Sequence, residues 1–144
     1  TKAGIVFMST SSKSLQCVVV TPEEEVFSET CDFVVVPLYD GEAGIYPDRA
    51  PLIARLGYGE LRISVAGELR RYYIDGGFLQ VQDNVVSILT ARIFSGSEID
   101  SEQVRTQLED YLSQLKDSTD SEEAKERVQL QLRGQLTVAS RSGN

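Results

Sequence analysis

The residue types that most often carry chemistry are sparse in this chain of 144 residues, and histidine is absent. Without an imidazole there is no histidine metal ligand, no histidine general base and no Ser-His or Cys-His nucleophile pair. The densest run of carboxylates, Glu23-Glu24-Glu25, follows a proline turn. Such a run is typical of a solvated loop rather than of an acid/base or calcium site. The residue types therefore do not indicate an enzyme.

Nucleotide-binding and nucleic-acid-binding patterns are also missing. The sequence has no Gly-x-x-x-x-Gly-Lys-Ser/Thr loop to hold phosphates and no Gly-x-Ser-x-Gly. Gly57-Tyr-Gly-Glu-Leu-Arg62 begins like a dinucleotide-binding motif, but it ends in Arg and continues into a predicted strand. Because 14 Lys and Arg stand against 22 Asp and Glu, the net charge of −8 would repel a phosphate backbone. We expect no cofactor, no metal and no nucleic-acid partner.

The two cysteines, Cys17 and Cys31, lack the Cys-x-x-Cys spacing of a redox or zinc site. We interpret them as small buried hydrophobic residues in a reducing compartment, with a Cys17–Cys31 disulfide as the alternative. The longest apolar run, Phe33–Tyr39, is far shorter than the ~20 residues that a membrane span requires.

The most informative segment is Glu42-Ala-Gly-Ile-Tyr-Pro-Asp-Arg-Ala-Pro-Leu52. Its glycine, its two prolines and the turn signal at Asp40-Gly41 predict a long, stiff and well-ordered loop. Loops of fixed geometry on a rigid scaffold often bind a partner. The alternative is a crossover that packs Ile45, Tyr46 and Leu52 over the core, and both interpretations can hold at once.

Hydrophobic periodicity predicts which elements position this loop. From Leu15 to about Phe94 apolar residues alternate with period two, and no helical pattern intervenes. This pattern predicts an antiparallel sandwich or barrel of short strands. The turn signals between the runs are Thr21-Pro22, Asp40-Gly41, Ala66-Gly67-Glu68, Asp75-Gly76-Gly77 and Asp83-Asn84, and the later β-rich runs are Arg70–Ile74, Phe78–Gln82 and Val85–Ala91.

After Ser95-Gly-Ser97 the period becomes helical. Asp100 with Gln103 predicts one helix cap, and Asp120 with Glu123 predicts a second. The apolar stripes must pack on each other, on the β half or on a partner, and the Gly-Ser linker would let the hairpin leave the β half. The first stripe is Val104, Leu108, Tyr111, Leu112 and Leu115; the second is Ala124, Val128, Leu132 and Leu136, with Gly134 costing about 1 kcal/mol relative to Ala.

The first residues read differently from the rest. Thr1–Phe7 precede Met8-Ser-Thr-Ser-Ser-Lys13, which is typical of a natural start behind a few vector or linker residues. We therefore expect residues 1–13 to be disordered, residues 14–96 to form the β domain and residues 97–144 to form a two-helix domain.

The segment EAGIYPDRAPL resembles the E-x-G-I-x-P-x-H-A-P-L signature of the epsilon subunit of F-type ATP synthase, which is called delta in mitochondria. The resemblance continues through Gly59–Ile63, Ile74–Val81 and Asn84-Val85-Val86, in the order and spacing of that family. Two features depart from it: Arg49 stands where the family usually has His, and the hairpin lacks the Ala-rich helices of bacterial members.

The resemblance implies an α+β fold, with an N-terminal antiparallel β-sandwich of about ten short strands and a C-terminal helical hairpin. It implies a non-catalytic rotor subunit that holds the gamma subunit to the c-ring and couples ion flow to ATP synthesis. The family's hairpin either folds beside the sandwich or rises along gamma toward alpha and beta and blocks ATP hydrolysis. The expected place is the cytoplasmic (or stromal) face of a bacterial plasma membrane or thylakoid, reached only through the complex.

The resemblance also implies binding residues. Those expected to face the c-ring are Glu42, Gly44, Ile45 and Tyr46, and the rest of the signature loop is Pro47, Arg49, Ala50, Pro51 and Leu52. In the hairpin, Arg133 and Arg141 stand clear of acidic neighbours and are candidate contacts to alpha and beta. Since residues 95–144 carry six basic and ten acidic residues, a net of −4, we expect inhibition to be weak or conditional.

A freestanding β-sandwich that binds carbohydrate or peptide, with a dimerising hairpin, is the alternative from another class. It would need an exposed aromatic platform. The absence of Trp, and the few Tyr outside the predicted strands, count against it.

Overall fold

The computed structural model describes residues 13–142, and within them eight strands precede two helices. The α+β class, a sandwich followed by two helices, is thereby confirmed. The disorder expected for residues 1–13 lies outside the described residues except at Lys13, which is exposed. The elements are β1 Leu15–Val20, β2 Glu25–Cys31, β3 Phe33–Leu38, β4 Gly41–Ile45, β5 Leu52–Val65, β6 Glu68–Gln82, β7 Val85–Leu89, β8 Ile93–Ser95, α1 Ser101–Gln114 and α2 Glu122–Arg141, with 3₁₀ turns at Gly96–Glu98 and Leu115–Asp117.

The strands form one sheet in the order β2-β1-β7-β6-β5-β3-β4, with β8 paired to β6. The sheet folds over a single core, to which β1 contributes Leu15, Cys17 and Val19. All pairs within the described part of the chain are antiparallel except β1 with β7, which is parallel. The expectation of a wholly antiparallel sandwich is corrected at this pair, because the chain reaches β7 from β1 by way of the rest of the sandwich.

The two longest strands, β5 and β6, explain why eight strands are observed where about ten were expected. In β6 the inward side chains change parity between Ile74 and Leu79. The change is made by Gly76 and Gly77, whose φ values of +73° and +114° bend the strand. A change from even-numbered to odd-numbered inward side chains interrupts the period-two pattern. The pattern therefore predicts two separate strands and a turn at Asp75-Gly76-Gly77. That segment is a bend within one strand.

Both cysteines are buried in the sandwich core, and both are free thiols. The interpretation as buried hydrophobic residues is confirmed, and the disulfide alternative is wrong. Burial is the main cause that raises the pKa of Cys31 to about 11, and it raises the pKa of Cys17 further. Both side chains therefore stay protonated and unreactive at neutral pH.

The two helices begin at side-chain caps, one of which was predicted. The Asp100 carboxylate accepts the backbone N–H of Gln103 at 3.2 Å, as expected. The second cap is Ser121 rather than Asp120, since the Ser121 hydroxyl accepts the N–H of Ala124 at 3.1 Å. Both residue types make good caps, and the Ser121 start places two glutamates in the first turn, where the helix dipole favours them.

The hairpin lies against the outer face of β5 and β6. The four residues of the predicted α2 stripe are all half-buried, whereas Gln135, Val138 and Ala139 are the buried residues of α2. Leu132 and Leu136 of the predicted stripe pack at the junction with the sheet. The buried residues lie nearer the C-terminus, because the C-terminal half of α2 packs on the sheet. A second apolar cluster fills this junction and consists of Tyr73, Ile99, Val104, Val138 and Ala139.

Candidate subunit-binding surfaces

The long loop predicted over residues 42–52 is corrected: residues 42–45 lie in β4, Leu52 begins β5, and residues 46–51 form the connection between the two strands. We call residues 42–52 the signature loop, and the structure divides its predicted binding residues into anchors and surface groups. Ile45 has 0% of its area exposed and holds the end of β4 in the core. Pro47 and Leu52 are half-buried at the other side of the loop. The exposed residues are Glu42, Gly44, Tyr46, Arg49, Ala50 and Pro51. Ile45 thus supports the loop from within and offers no surface to a partner.

The loop is held in one conformation by contacts at both of its halves. The Tyr46 ring stacks on Phe33 with centroids 5.4 Å apart, and a Cβ at Gly44 would lie 3.1 Å from that ring. Asp48, at φ +66°, donates its backbone N–H to the Asn84 side chain at 2.6 Å. Two hydrogen bonds, a stronger one from Lys13 and a weaker one from Asn84, hold the pKa of the Asp48 carboxyl below its usual value. The stiffness predicted from glycine and proline is therefore reinforced by side chains.

Glu42, the expected c-ring-facing carboxylate, does not stand alone. Both terminal nitrogens of Arg62 donate to it, at 3.1 and 3.2 Å, in a two-point ion pair. The same guanidinium also donates to Glu60 at 2.8 Å. Arg62 therefore joins the signature loop to the face of β5 on which the hairpin packs.

Glu60 is a buried carboxylate that receives guanidinium groups from three directions. Arg62 and Arg141 each donate to its Oε1 at 2.8 Å, and Arg71 donates to both of its oxygens at 3.2 Å. Its side chain is only 5% exposed, while that of Arg141 is half exposed. Burial alone would raise the pKa of Glu60, but hydrogen bonds from Arg62 and Arg141 and the charges of Arg141 and Arg71 outweigh it and hold the pKa below its usual value.

We call these five residues, Glu42, Glu60, Arg62, Arg71 and Arg141, the Glu60 cluster. β4 supplies the first, β5 and β6 the next three, and α2 the last. Because Arg62 lies directly opposite Arg71 in the β5–β6 register, the pair presents two cations on one face of the sheet. Glu60 brings Arg141 to the same face and so fixes the C-terminal end of the hairpin there.

A second buried carboxylate, Asp75, holds the middle of α2. It accepts hydrogen bonds from the Tyr73 hydroxyl at 2.8 Å, from Arg92 Nε at 2.9 Å and from Gln131 at 2.9 Å. Gln131 is on α2, and the other donors are on the sandwich. Burial, followed by the charge and hydrogen bond of Asp75, raises the pKa of Tyr73, so its hydroxyl remains a donor.

Gly134 lets α2 approach the sheet closely between these two carboxylates. A Cβ there would lie 3.0 Å from Cε1 of Tyr73 and 3.3 Å from the carbonyl oxygen of Tyr58. A glycine inside a helix costs about 1 kcal/mol relative to Ala, and here it allows a close contact between the helix and the sheet.

An exposed apolar face lies beside the signature loop on the outside of β5, β6 and β7, and Tyr39, in the turn between β3 and β4, extends it. Ile53 is 76% exposed and Phe78 is 60% exposed, and Phe78 pairs with Leu89 in register. The Arg55 guanidinium covers the Tyr39 ring at 4.1 Å from its centroid. We call Tyr39, Ile53, Phe78 and Leu89 the apolar face. Beside Leu89 it continues into a shallow cavity of about 330 Å³ lined by Val20, Thr21, Pro22, Thr90 and Ala91.

Sequence reasoning did not find Glu60, Asp75 or the apolar face. For the two carboxylates, the local pattern predicts exposed side chains. Glu60 and Arg62 alternate with inward Leu61 and Ile63, which predicts a solvent-facing polar side. Asp75 precedes two glycines, a pattern that predicts a turn rather than a buried carboxylate. Only the position of the hairpin shows which polar residues of the sandwich are covered.

The two cations singled out in the hairpin have different surroundings. Arg141 is bound to Glu60, whereas Arg133 is exposed and has no ion pair among residues 13–142. No helix in the described residues is long and apolar enough to cross a membrane. Across the same range, no three Cys, Asp or Glu side chains are grouped so as to hold a metal ion.

Two solved assemblies contain chains with this fold. One is a chain of the Euglena gracilis mitochondrial ATP synthase (OSCP/F1/c-ring), with a TM-score of 0.70 and 20% identity over 99% of this chain and 85% of that one. The other is a chain of the Tetrahymena thermophila mitochondrial ATP synthase (central stalk/c-ring), with a TM-score of 0.61 and 14% identity over 90% of this chain and 96% of that one. At these identities the likeness shows the fold.

Sequence comparison shows the family. Residues 14–96 match the model "ATP synthase, Delta/Epsilon chain, beta-sandwich domain". The ATP synthase epsilon chain of Rhodopirellula baltica is 40% identical over 126 residues, 88% of this chain and 98% of that protein. That of Carboxydothermus hydrogenoformans is 46% identical over 91 residues, 63% of this chain and 68% of that protein. The signature loop, the sandwich that holds it and these matches together show that the chain belongs to the ATP synthase epsilon chain family.

Proposed function

We propose that this epsilon chain is a non-catalytic rotor subunit of the central stalk, which joins gamma to the c-ring and couples ion translocation to ATP synthesis. The observation that carries the proposal is the adjacency of two unlike surfaces, the apolar face and the rigid signature loop, on one stiff sandwich. The subunit acts on the cytoplasmic (or stromal) side of a plasma membrane or thylakoid and reaches the membrane only through the complex.

The apolar face suits a permanent protein partner, which we assign to gamma. Obligate subunit interfaces are more apolar than ordinary protein surface, and aromatic side chains are enriched in them. Phe78 and Tyr39 provide aromatic area, while Ile53 and Leu89 extend it across three strands. The freestanding carbohydrate or peptide binder gains no support from these residues, because a mixture of aliphatic and aromatic side chains suits a protein surface better than a sugar.

The signature loop is assigned to the c-ring. Of the four residues expected to face the c-ring, Glu42, Gly44 and Tyr46 are exposed, and Ile45 serves as their anchor. A half-exposed carboxylate at an interface rim steers association more than it adds affinity.

Glu42→Arg is expected to lower ATP-driven proton pumping by about three- to tenfold at low salt, with a smaller loss at high salt because surface charge is screened. The substitution reverses the rim charge and places a second cation beside Arg62. Pumping and subunit assembly are measured in membrane vesicles that contain the variant complex. Glu25→Arg, a charge reversal at the exposed start of β2, is the matched control. Unchanged pumping and assembly of Glu42→Arg at low salt would remove the c-ring assignment.

The hairpin is assigned a conditional regulatory role toward alpha and beta. Here it is folded beside the sandwich, with Arg141 bound to Glu60 and Gln131 bound to Asp75. Of the two candidate cations, Arg133 is the one that is left available to an acidic partner surface, and the acidic side chains of α2 offset much of the remaining positive charge.

Truncation after Ser118 is expected to raise ATP hydrolysis of the assembled complex by less than tenfold, the equivalent of about 1.4 kcal/mol in barrier height. The reason is that residues 95–144 carry six basic against ten acidic residues. Hydrolysis is compared between complexes with and without residues 119–144, at equal subunit content. A rise well above tenfold would show that the hairpin is a strong brake.

A further inference from the structure

The Glu60 cluster connects the signature loop to the end of the hairpin, two regions that the proposed function gives to different partners. We propose that a partner cation that binds Glu42 weakens the docking of the hairpin on the sandwich. The identity of that partner as the c-ring rests on the proposed function, whereas the coupling between Glu42 and the hairpin rests only on the geometry of this chain.

Arg62 is shared between two carboxylates. Its Nη1 lies 3.1 Å from an oxygen of Glu42 and 2.8 Å from Oε1 of Glu60. The Glu42 side chain is half exposed, so a partner can reach it, while Glu60 is buried and cannot be reached. A change in charge at Glu42 is therefore felt by Arg62 first.

Arg62 and Arg141 use the same oxygen. Each donates to Oε1 of Glu60 at 2.8 Å, and Arg71 donates to both oxygens of the carboxylate at the longer distance of 3.2 Å. When a partner cation binds Glu42, Arg62 loses the Glu42 carboxylate as an acceptor. Its ion pair with Glu60 then becomes stronger. Arg141 then competes with a more strongly bound Arg62 for Oε1 of Glu60.

The charge balance of the cluster gives the same direction. Three guanidinium groups stand against two carboxylates, so the cluster already has an excess of one positive charge. A cation at Glu42 adds a second, in a partly buried site where charges interact more strongly than in water. Of the three arginines, Arg141 is the most exposed and the one carried by the helix, so it is the group that leaves.

The coupling is reciprocal, as linkage requires. Docking of the hairpin weakens the binding of a cation at Glu42 by the same factor by which that cation weakens docking. A hairpin that is released and a signature loop that is engaged therefore favour each other.

The test uses amide hydrogen exchange of the full-length chain at low ionic strength, with mass spectrometry of peptides from the last two turns of α2. Glu42→Gln removes the negative charge without adding bulk, as a bound cation would neutralise it. We expect exchange in these peptides to rise by about threefold or more, a change of the size produced by a partly exposed ion pair. Glu25→Gln, an equal charge change at a residue without an ion pair among residues 13–142, should leave exchange unchanged. Peptides from β7 report whether the sandwich itself is intact.

Arg141→Gln and the double variant Glu42→Gln/Arg141→Gln complete a cycle. Arg141→Gln should speed exchange by itself, and Glu42→Gln should add little in its presence, because the group through which it acts is gone. Exchange of Glu42→Gln equal to that of Glu25→Gln, or fully additive effects in the cycle, would overturn the coupling. A loss of proton pumping in Glu42→Arg without altered exchange in Glu42→Gln would leave the c-ring assignment intact and remove only this inference.

Discussion

Replacing Gly77 with Ala is expected to lower the free energy of unfolding by about 4 kcal/mol or more, among the largest effects of a single methyl group. A Cβ at Gly77 would lie 1.8 Å from the carbonyl oxygen of Leu89 and 2.8 Å from its carbonyl carbon. Both atoms belong to the backbone of β7, so no side chain can rotate away. The φ of +114° adds strain for any residue with a Cβ. Urea unfolding followed by far-UV circular dichroism measures the loss.

Gly67→Ala is the matched control for that experiment. Gly67 also has a positive φ, +81°, but a Cβ there would meet nothing within 4 Å. Its substitution is expected to cost only about 1 to 2 kcal/mol, the price of left-handed backbone alone. Equal losses for the two variants would show that the close approach of β6 to β7 does not determine the stability of the bend.

Glu60→Gln is expected to cost about 2 to 3 kcal/mol, mainly by loosening the hairpin. Removal of one partner from a buried ion pair leaves uncompensated charge, which is worth about 3 to 5 kcal/mol when the pair is fully buried. The figure here is lower because the side chains of Arg62, Arg71 and Arg141 are 19%, 29% and 51% exposed. Urea unfolding gives the total loss, and hydrogen exchange of α2 shows where it is felt.

Glu29→Gln provides the comparison for Glu60→Gln. Glu29 also pairs with an arginine, Arg70 at 2.9 Å, but both side chains are about one-third exposed. Its loss should cost less than about 1 kcal/mol. A Glu60→Gln variant no less stable than Glu29→Gln would mean that the Glu60 cluster does not hold the hairpin.

Acid should act in the same direction as Glu60→Gln. The pKa of Glu60 is lower in the folded chain than its ordinary value of about 4.3, so the unfolded state binds more protons near that pH. The stabilisation by Glu60 is therefore complete above about pH 4.3 and is lost as the pH falls through the folded-state pKa. Exchange of α2 amides, corrected for intrinsic rates, should rise over that interval before the sandwich unfolds.

Local sequence rules predicted the parts of the fold that depend on near neighbours. The Asp100 cap needs only Gln103, and the alternation of β1 needs only its own residues, so both predictions are confirmed. The strand count failed at Gly76 and Gly77 because a bend that changes parity inside a strand has the same local pattern as a turn. The distinction depends on β5, which pairs with β6 on both sides of the bend.

For the candidate surfaces, the sequence predicts local stiffness but not the long-range contacts. The stiffness of the signature loop follows from Pro47 and Pro51, but its attachment through Asp48 to Asn84 joins residues 36 positions apart. Glu60 and Gln131 take their roles from the placement of a helix on a sheet, which periodicity does not specify. Gly134 illustrates the same limit: helix propensity assigns it only a cost, whereas its neighbour Tyr73 explains its presence.

The paired β5 and β6 strands have a mechanical consequence for the rotor role proposed above. Their register extends without a chain break from Leu52, beside the signature loop, to the turn after Val65. At about 3.3 Å per residue this ribbon has a contour length of about 45 Å. Because antiparallel hydrogen bonds lie perpendicular to the strands, sliding one strand along the other loads many bonds at once. Torque entering at the loop would thus be resisted in shear along the whole ribbon, and elastic twist would concentrate at the glycine bend.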